Sequence, residues 1–157
     1  MDNPARILIV DDDENIRKVL EAILEERGYL VESVDTARKA INITKKKTYN
    51  LALIDIRLPD MEGTELLSRI KDTVPRMRKI IITGYPTLQN AIEAVNRKAD
   101  AYIMKPFDVE KVLNTIAEQL QKQKEEMQYS QDKVAQYIES RVFEINAARP
   151  SAQIKKC

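Results

Sequence analysis

The sequence predicts an α/β protein: a doubly wound, five-stranded parallel sheet with an extended C-terminal helix. Three observations predict it. The runs Ile7-Leu8-Ile9-Val10 and Leu51-Ala52-Leu53-Ile54 do not alternate in polarity, as expected of strands buried on both faces under helices. Strand-like and helix-like segments alternate strictly with short connections, which favours parallel pairing. Carboxylates follow the two apolar runs directly, Asp11-Asp12-Asp13 after the first and Asp55 after the second. That position is the carboxyl edge of a parallel sheet, where such folds place their ligands.

The first strand covers Arg6 to Val10, and Ile16, Val19, Leu20, Ile23 and Leu24 then repeat at helical spacing until Gly28 stops the helix. Tyr29 to Val34 is a shorter, more polar strand suited to an edge position. Thr36 reads as the N-cap of the second helix, which ends around Lys45-Lys46-Lys47. Leu51 to Asp55 is the third strand. The loop Arg57 to Gly63 leads into a helix carrying Leu66, Leu67 and Ile70. Lys79 to Thr83 is the fourth strand, Thr87 to Lys98 the fourth helix, and Ala101 to Lys105 the fifth strand. Pro106 interrupts the chain, and Asp108 caps a last helix with Val109, Val112, Leu113, Ile116 and Leu120 on its inner face.

Residues 1–122 thus form the α/β domain. Residues 123–146 hold no proline or glycine and are rich in Gln, Lys and Glu, so they continue the last helix. Leu113, Leu120, Met127 and Val134 fall at heptad spacing, with Ile138 and Ile145 on a second line. Gln123, Lys124, Ser130 and Gln131 interrupt that seam. A solvated extension and a weakly dimerising or partner-binding helix both fit the pattern. Arg149-Pro150 ends any helix, and residues 147–157 are expected to be a disordered tail.

The 157 residues suffice for one full core. Lys and Arg total 26 against 25 for Asp and Glu, so the net charge of +1 gives no reason to expect nucleic-acid binding. The longest apolar stretch falls far short of the ~20 residues that span a membrane. The N-terminus lacks a signal-peptide layout, and the single cysteine, Cys157, excludes an internal disulfide. These features point to the cytoplasm. The chain contains no histidine, which excludes Ser–His and Cys–His nucleophilic pairs and His-rich zinc sites.

If the first and third strands are neighbours, Asp11, Asp12 and Asp55 converge. Like charges packed that closely raise one another's pKa unless a cation lies among them. Oxygen-only donors suit Mg²⁺, with Asp12 and Asp55 as direct ligands and Asp11 acting through water. Helix capping explains one of the three successive carboxylates, Asp13. Thr83 ends the fourth strand with a hydroxyl, and Lys105 ends the fifth with an ammonium that can reach the acidic cleft. Each of the two has a plain alternative, a strand terminus for Thr83 and a salt bridge for Lys105. A metal, a carboxylate nucleophile and an ammonium together suit phosphoryl transfer, which is mostly positioning and charge stabilisation.

With these residues placed, the chain resembles the receiver domain of two-component response regulators. The resemblance rests on Asp11-Asp12, the segment Asp55-x-x-Leu58-Pro59-x-x-x-Gly63, Thr83-Gly84, and Lys105-Pro106-Phe107, in order and at family spacing. It implies a flavodoxin-like strand order of 2-1-3-4-5. It further implies that Asp55 accepts a phosphoryl group from a phosphohistidine of a sensor histidine kinase or phosphotransfer protein. Asp12, Asp55 and the Arg57 carbonyl would bind Mg²⁺ with help from Asp11, and Thr83 and Lys105 would hold the phosphoryl oxygens. The Lys105–Pro106 bond would be cis. Tyr102 would be the switch aromatic, turning inward on phosphorylation and altering the face of the fourth helix, fifth strand and last helix, where a downstream protein would dock.

Three other readings share part of this pattern. A flavodoxin would carry a hydroxyl- and Gly-rich phosphate cradle after its first strand, where this chain has three carboxylates. A Mg²⁺-dependent phosphatase of the haloacid-dehalogenase type pairs an Asp nucleophile and an Asp acid two residues apart, a spacing that Asp11 and Asp13 offer. It leaves Asp55, Thr83 and Lys105 only partly explained. An interaction scaffold would work through the long last helix.

Overall fold

The computed structural model describes residues 3–148. The chain divides into two compact units, the first ending at Gln123 and the second beginning at Lys124. The first unit alternates strand and helix: β1 (Arg6–Val10), α1 (Glu14–Glu26), β2 (Leu30–Val34), α2 (Ala37–Lys46), β3 (Leu51–Asp55), α3 (Gly63–Arg69), β4 (Arg78–Thr83), α4 (Leu88–Asn96) and β5 (Ala101–Met104). The last helix, α5, is one run of 40 residues, Val109–Ala148. All pairings are parallel, and the strand order is β2-β1-β3-β4-β5.

The non-alternating strands bury both faces because consecutive residues feed two separate cores. Leu8, Val10, Ala52, Ile54 and Ile81 pack under α2, α3 and α4. Ile7, Ile9, Leu51, Leu53, Ile80 and Ile82 pack under α1 and α5. Each fully buried Ile or Leu contributes about 1.5–3 kcal/mol relative to exposure. The starts of α1, α2, α4 and α5 carry side-chain caps, whereas α3 has none. Asp13 accepts from the Asn15 and Ile16 N–H groups, Thr36 from Lys39, and Thr87 from Asn90. Asp108 accepts from Glu110 at 2.9 Å.

Helices α1 and α4 end in the same pattern of two closing hydrogen bonds. In α1 the left-handed residue is Gly28 at φ 90°, and in α4 it is Lys98 at φ 66°. Element ends otherwise differ from the expected ones by one or two residues, as at Tyr29, Thr87 and Lys105, which lie just outside their elements.

One reading is corrected. Gln123, expected to break an exposed seam, is buried at 4% exposure. Its amide nitrogen donates to the carbonyls of Asn50 and Arg76 at 2.9 and 2.8 Å, and its oxygen accepts from Asn50 Nδ2 at 3.1 Å. It belongs to a polar layer at the amino edge of the sheet, opposite the Asp11–Asp55 end. In that layer Asp100 accepts from Arg76, Arg78 and the Lys79 N–H. An amide at this point satisfies strand-end groups that a heptad count does not register. Ala147 and Ala148, expected in the tail, are helical, and the rest of the expected tail (149–157) lies outside the described residues. Among the described residues no helix is long and apolar enough to cross a membrane.

Candidate functional site

Parallel pairing in near register brings the ends of β1, β3, β4 and β5 to one edge. Val10 pairs with Ile54, so Asp11 and Asp55 follow side by side. Thr83 pairs with Met104, and the Lys105 N–H donates to the Thr83 carbonyl at 2.7 Å. Ligand oxygens of Asp11, Asp12 and Asp55 lie within 4.8 Å of one another. They line a cleft of ≈ 470 Å³ together with Asp13, Arg57, Gly84, Tyr85 and Lys105.

Asp11 and Asp55 are buried at 3% and 7% exposure, and Asp12 is exposed. The Lys105 ammonium bridges the two buried carboxylates, at 2.8 Å from Asp11 Oδ2 and 3.3 Å from Asp55 Oδ2. The Lys105–Pro106 bond is cis. Burial and then the charge of Asp11 push the Asp55 pKa above the usual carboxylate range, and Lys105 offsets only part of this. Burial works against the Lys105 ammonium, but the bond to Asp11 and the charges of both carboxylates hold its pKa above the ordinary value. The shorter contact explains the asymmetry: Lys105 is mainly a partner of Asp11, which leaves Asp55 under-compensated.

This donor set fits a hard divalent cation. It offers only oxygens, from two strand ends, around a carboxylate whose charged form still lacks compensation. Asp13, by contrast, is engaged as the cap of α1. That use withdraws the second carboxylate a haloacid-dehalogenase-type phosphatase would need.

Asp55 is held from behind by an unusually close contact. A Cβ on Gly63 would lie 2.1 Å from the Asp55 carbonyl oxygen, so no side chain fits there. The Gly63 N–H donates to Ile56 O at 2.7 Å, and the Arg57 and Glu62 backbones pair in an isolated antiparallel β-bridge, which closes the β3–α3 loop on itself. The Arg57 guanidinium stacks on the Tyr85 ring, 3.8 Å from its centroid, at the cleft.

Thr83 and Tyr102 sit less simply. Thr83 is fully buried, and its Oγ1 accepts the Tyr85 N–H at 3.0 Å. It is absent from the cleft lining that includes its neighbours Gly84 and Tyr85. Ile81 pairs with Tyr102, so Tyr102 shares a sheet face with Thr83, two residues on. The Tyr102 ring packs against the core under α4, and its hydroxyl is already buried without a hydrogen-bond partner.

Sequence reasoning missed Asp60, whose carboxylate accepts the Ala37 and Arg38 N–H groups at the start of α2. A local cap, Thr36, is visible at that helix start, and nothing in the sequence points to a second from another loop.

Residues 7–117 match the response regulator receiver domain model. The chain is 36% identical over 114 residues to the transcriptional regulatory protein ZraR of Klebsiella oxytoca, covering 73% of this chain and 26% of ZraR. It thus spans about a quarter of that regulator's length. A CheY-like receiver domain protein from Methanospirillum hungatei has a similar structure, with TM-score 0.76 and 47% identity, covering 79% of this chain and 99% of that one. The beryllofluoride-activated NtrC4 receiver domain dimer matches at TM-score 0.70 and 35% identity, covering 75% and 98%. With the strand order, the acidic cleft and the Lys105 bridge all in place, the chain belongs to the response regulator receiver domain family.

Proposed function

We propose that this chain is a phosphoacceptor switch in which Asp55 takes a phosphoryl group from a phosphohistidine on a sensor histidine kinase or a phosphotransfer protein. The carrying observation is the convergence of Asp11, Asp12, Asp55 and Lys105 on one cleft, with Asp55 buried and only partly compensated. The chain has no histidine of its own, so the donor imidazole comes from the partner. An Asp55 oxygen attacks phosphorus, the P–N bond breaks, and the imidazole departs with the electron pair. The product is an acyl phosphate.

Lys105 stands where it can transfer its hydrogen bonds from carboxylate to phosphoryl oxygen. The bond from Tyr85 uses Thr83 Oγ1 as an acceptor and leaves its O–H to donate to a second phosphoryl oxygen. Asp12, Asp55 and the Arg57 carbonyl would hold Mg²⁺, with Asp11 acting through water. When bound, the ion would supply positive charge against the clustered carboxylates and the transferring phosphoryl group.

Because Thr83 and Tyr102 share a face, reorientation of the Thr83 hydroxyl would be felt under α4. Leu88, Ile92 and Val95 on α4 and Met104 on β5 are exposed large apolar residues. They support this face as the docking surface of a downstream protein in the cytoplasm. The exposed Val134, Ile138 and Ile145 on α5 support weak self-association.

Labelling with acetyl phosphate or a phosphorylated kinase, with Mg²⁺ present, tests the reading. One phosphoryl group should appear in the wild-type chain and none in Asp55→Asn, and Asp12→Ala should label slowly. Undiminished labelling of Asp55→Asn would refute it.

A further inference from the structure

Helix α2 begins at Ala37, and its first N–H groups find no partner inside the helix. Thr36 Oγ1 takes the Lys39 N–H at 3.1 Å. The Ala37 and Arg38 N–H groups donate instead to Asp60, at 2.9 Å to Oδ1 and 2.8 Å to Oδ2. One carboxylate thus gives one oxygen to each donor, across separations of 23 and 22 residues. A negative charge at a helix N-terminus is favourable, and charge-assisted bonds of this kind are the strong ones.

Asp60 lies in the loop that leaves Asp55 and enters α3. That loop closes on itself through the Gly63–Ile56 bond and the Arg57–Glu62 bridge, and it rests on the core through Leu58 and Met61. Apolar contacts are non-directional, whereas the paired bonds of Asp60 to the end of a helix are directional. Thr36 shows what a cap serving α2 alone looks like: local, and independent of the loop.

We propose that Asp60 is a positioning residue for the phosphoacceptor site. Its clasp on α2 holds the β3–α3 loop, and with it the Arg57 carbonyl and the backbone behind Asp55, in the shape that the reaction uses. The inference rests on the reading of Asp55 as phosphoacceptor. A carboxylate serves the clasp best, because it gives each N–H donor its own oxygen and carries a charge, whereas Asn has one acceptor oxygen and no charge.

Three variants test it: Asp60→Ala, Asp60→Asn and Thr36→Ala. Amide hydrogen exchange at Arg57 and Gly63 reports the loop, and the initial rate of Asp55 labelling by acetyl phosphate, across Mg²⁺ concentrations, reports the site. Asp60→Ala is expected to speed exchange at both amides and to slow labelling about tenfold, as small displacements of reacting groups do. Asp60→Asn should fall between it and wild type. Thr36→Ala should lower thermal stability yet leave labelling and loop exchange as in wild type. Equal effects from Thr36→Ala and Asp60→Ala, or unchanged labelling in Asp60→Ala, would overturn the proposal. Absence of labelling in the wild-type chain would instead refute the phosphoacceptor reading. Exchange at Gly63 then decides the clasp by itself, and no acceleration in Asp60→Ala overturns it.

Discussion

The three glycines of the chain differ in what an added methyl group would meet, and alanine at each gives a graded prediction. At Gly63 the new Cβ would lie 2.1 Å from the Asp55 carbonyl oxygen and 3.0 Å from Ile54 Cγ2. Side-chain carbons are essentially never closer than 3.0 Å, so the two segments must separate by about 0.9 Å. Overpacking of this kind costs about 1–3 kcal/mol. The separation also displaces the backbone that carries Asp55, and a shift near 1 Å at a reacting group costs up to ~100-fold in rate. At Gly28 nothing lies within 4 Å, but φ is +90°, so alanine should cost roughly 1–2 kcal/mol through backbone strain alone. At Gly84 the methyl would make ordinary contacts with Lys105 at 3.8 and 3.9 Å. Alanine there should be neutral or stabilising by about 0.4–1 kcal/mol, because it restricts the unfolded chain. Urea unfolding of the three variants, with acetyl phosphate labelling of the first two, makes the comparison. Gly63→Ala should lose both stability and labelling, and Gly28→Ala only stability. If Gly63→Ala matches Gly84→Ala in stability and labels at the wild-type rate, the close contact does not position Asp55.

Other expectations follow from the same geometry. Asp100→Ala removes the carboxylate facing the buried Arg78 and should cost about 3–5 kcal/mol, measured by denaturant unfolding. Burial pushes the Asp100 pKa up, but the bonds from Arg76 and the Lys79 N–H and the charges of Arg76 and Arg78 bring it below the usual value. A depressed folded-state pKa means that this stability is complete above the unfolded value of about 3.9 and is lost as pH falls through the folded one. Melting points between about pH 2 and 5 should therefore fall more steeply for wild type than for Asp100→Asn; equal slopes would contradict it. The Arg57–Tyr85 stack, worth about 0.5–1 kcal/mol, stands at the cleft where hydrolytic water would enter. Replacing both residues by alanine should admit that water and speed phosphoryl loss several-fold; unchanged decay would mean that the stack does not shield the acyl phosphate. Sedimentation of the full chain against a version ending at Lys124, which keeps the Gln123 bonds, should show a weak monomer–dimer equilibrium only in the former, shifted toward dimer by phosphorylation. Two monomers under both conditions would leave the part of α5 beyond Lys124 as a solvated or partner-binding extension.

The features legible in the sequence share one property: their physical cause is local. Ile7 to Val10 and Leu51 to Ile54 announce burial on both faces without reference to any other segment. Asp13, Thr36 and Asp108 cap helices that begin one or a few residues later. Asp11, Asp55, Thr83 and Lys105 stand at strand ends, and parallel pairing alone suffices to gather those ends at one edge. The misread residues are polar groups with remote partners. Gln123 looks like a flaw in an apolar seam because an amide bonded to Asn50 and Arg76 has the same letter as one in water. Asp60 looks like an ordinary loop carboxylate because its donors lie in α2. At Tyr102 and Thr83, the buried hydroxyl of the one and the bond from Tyr85 to the other depend on how β5 and the β4–α4 turn settle on the core. A hydrogen-bonding side chain carries no mark of which partner satisfies it, whereas an apolar one needs only to be covered. The residues that join elements are thus the least readable. On the proposed function, a signal from Asp55 to a docking surface would pass through such joints, where sequence patterns say least.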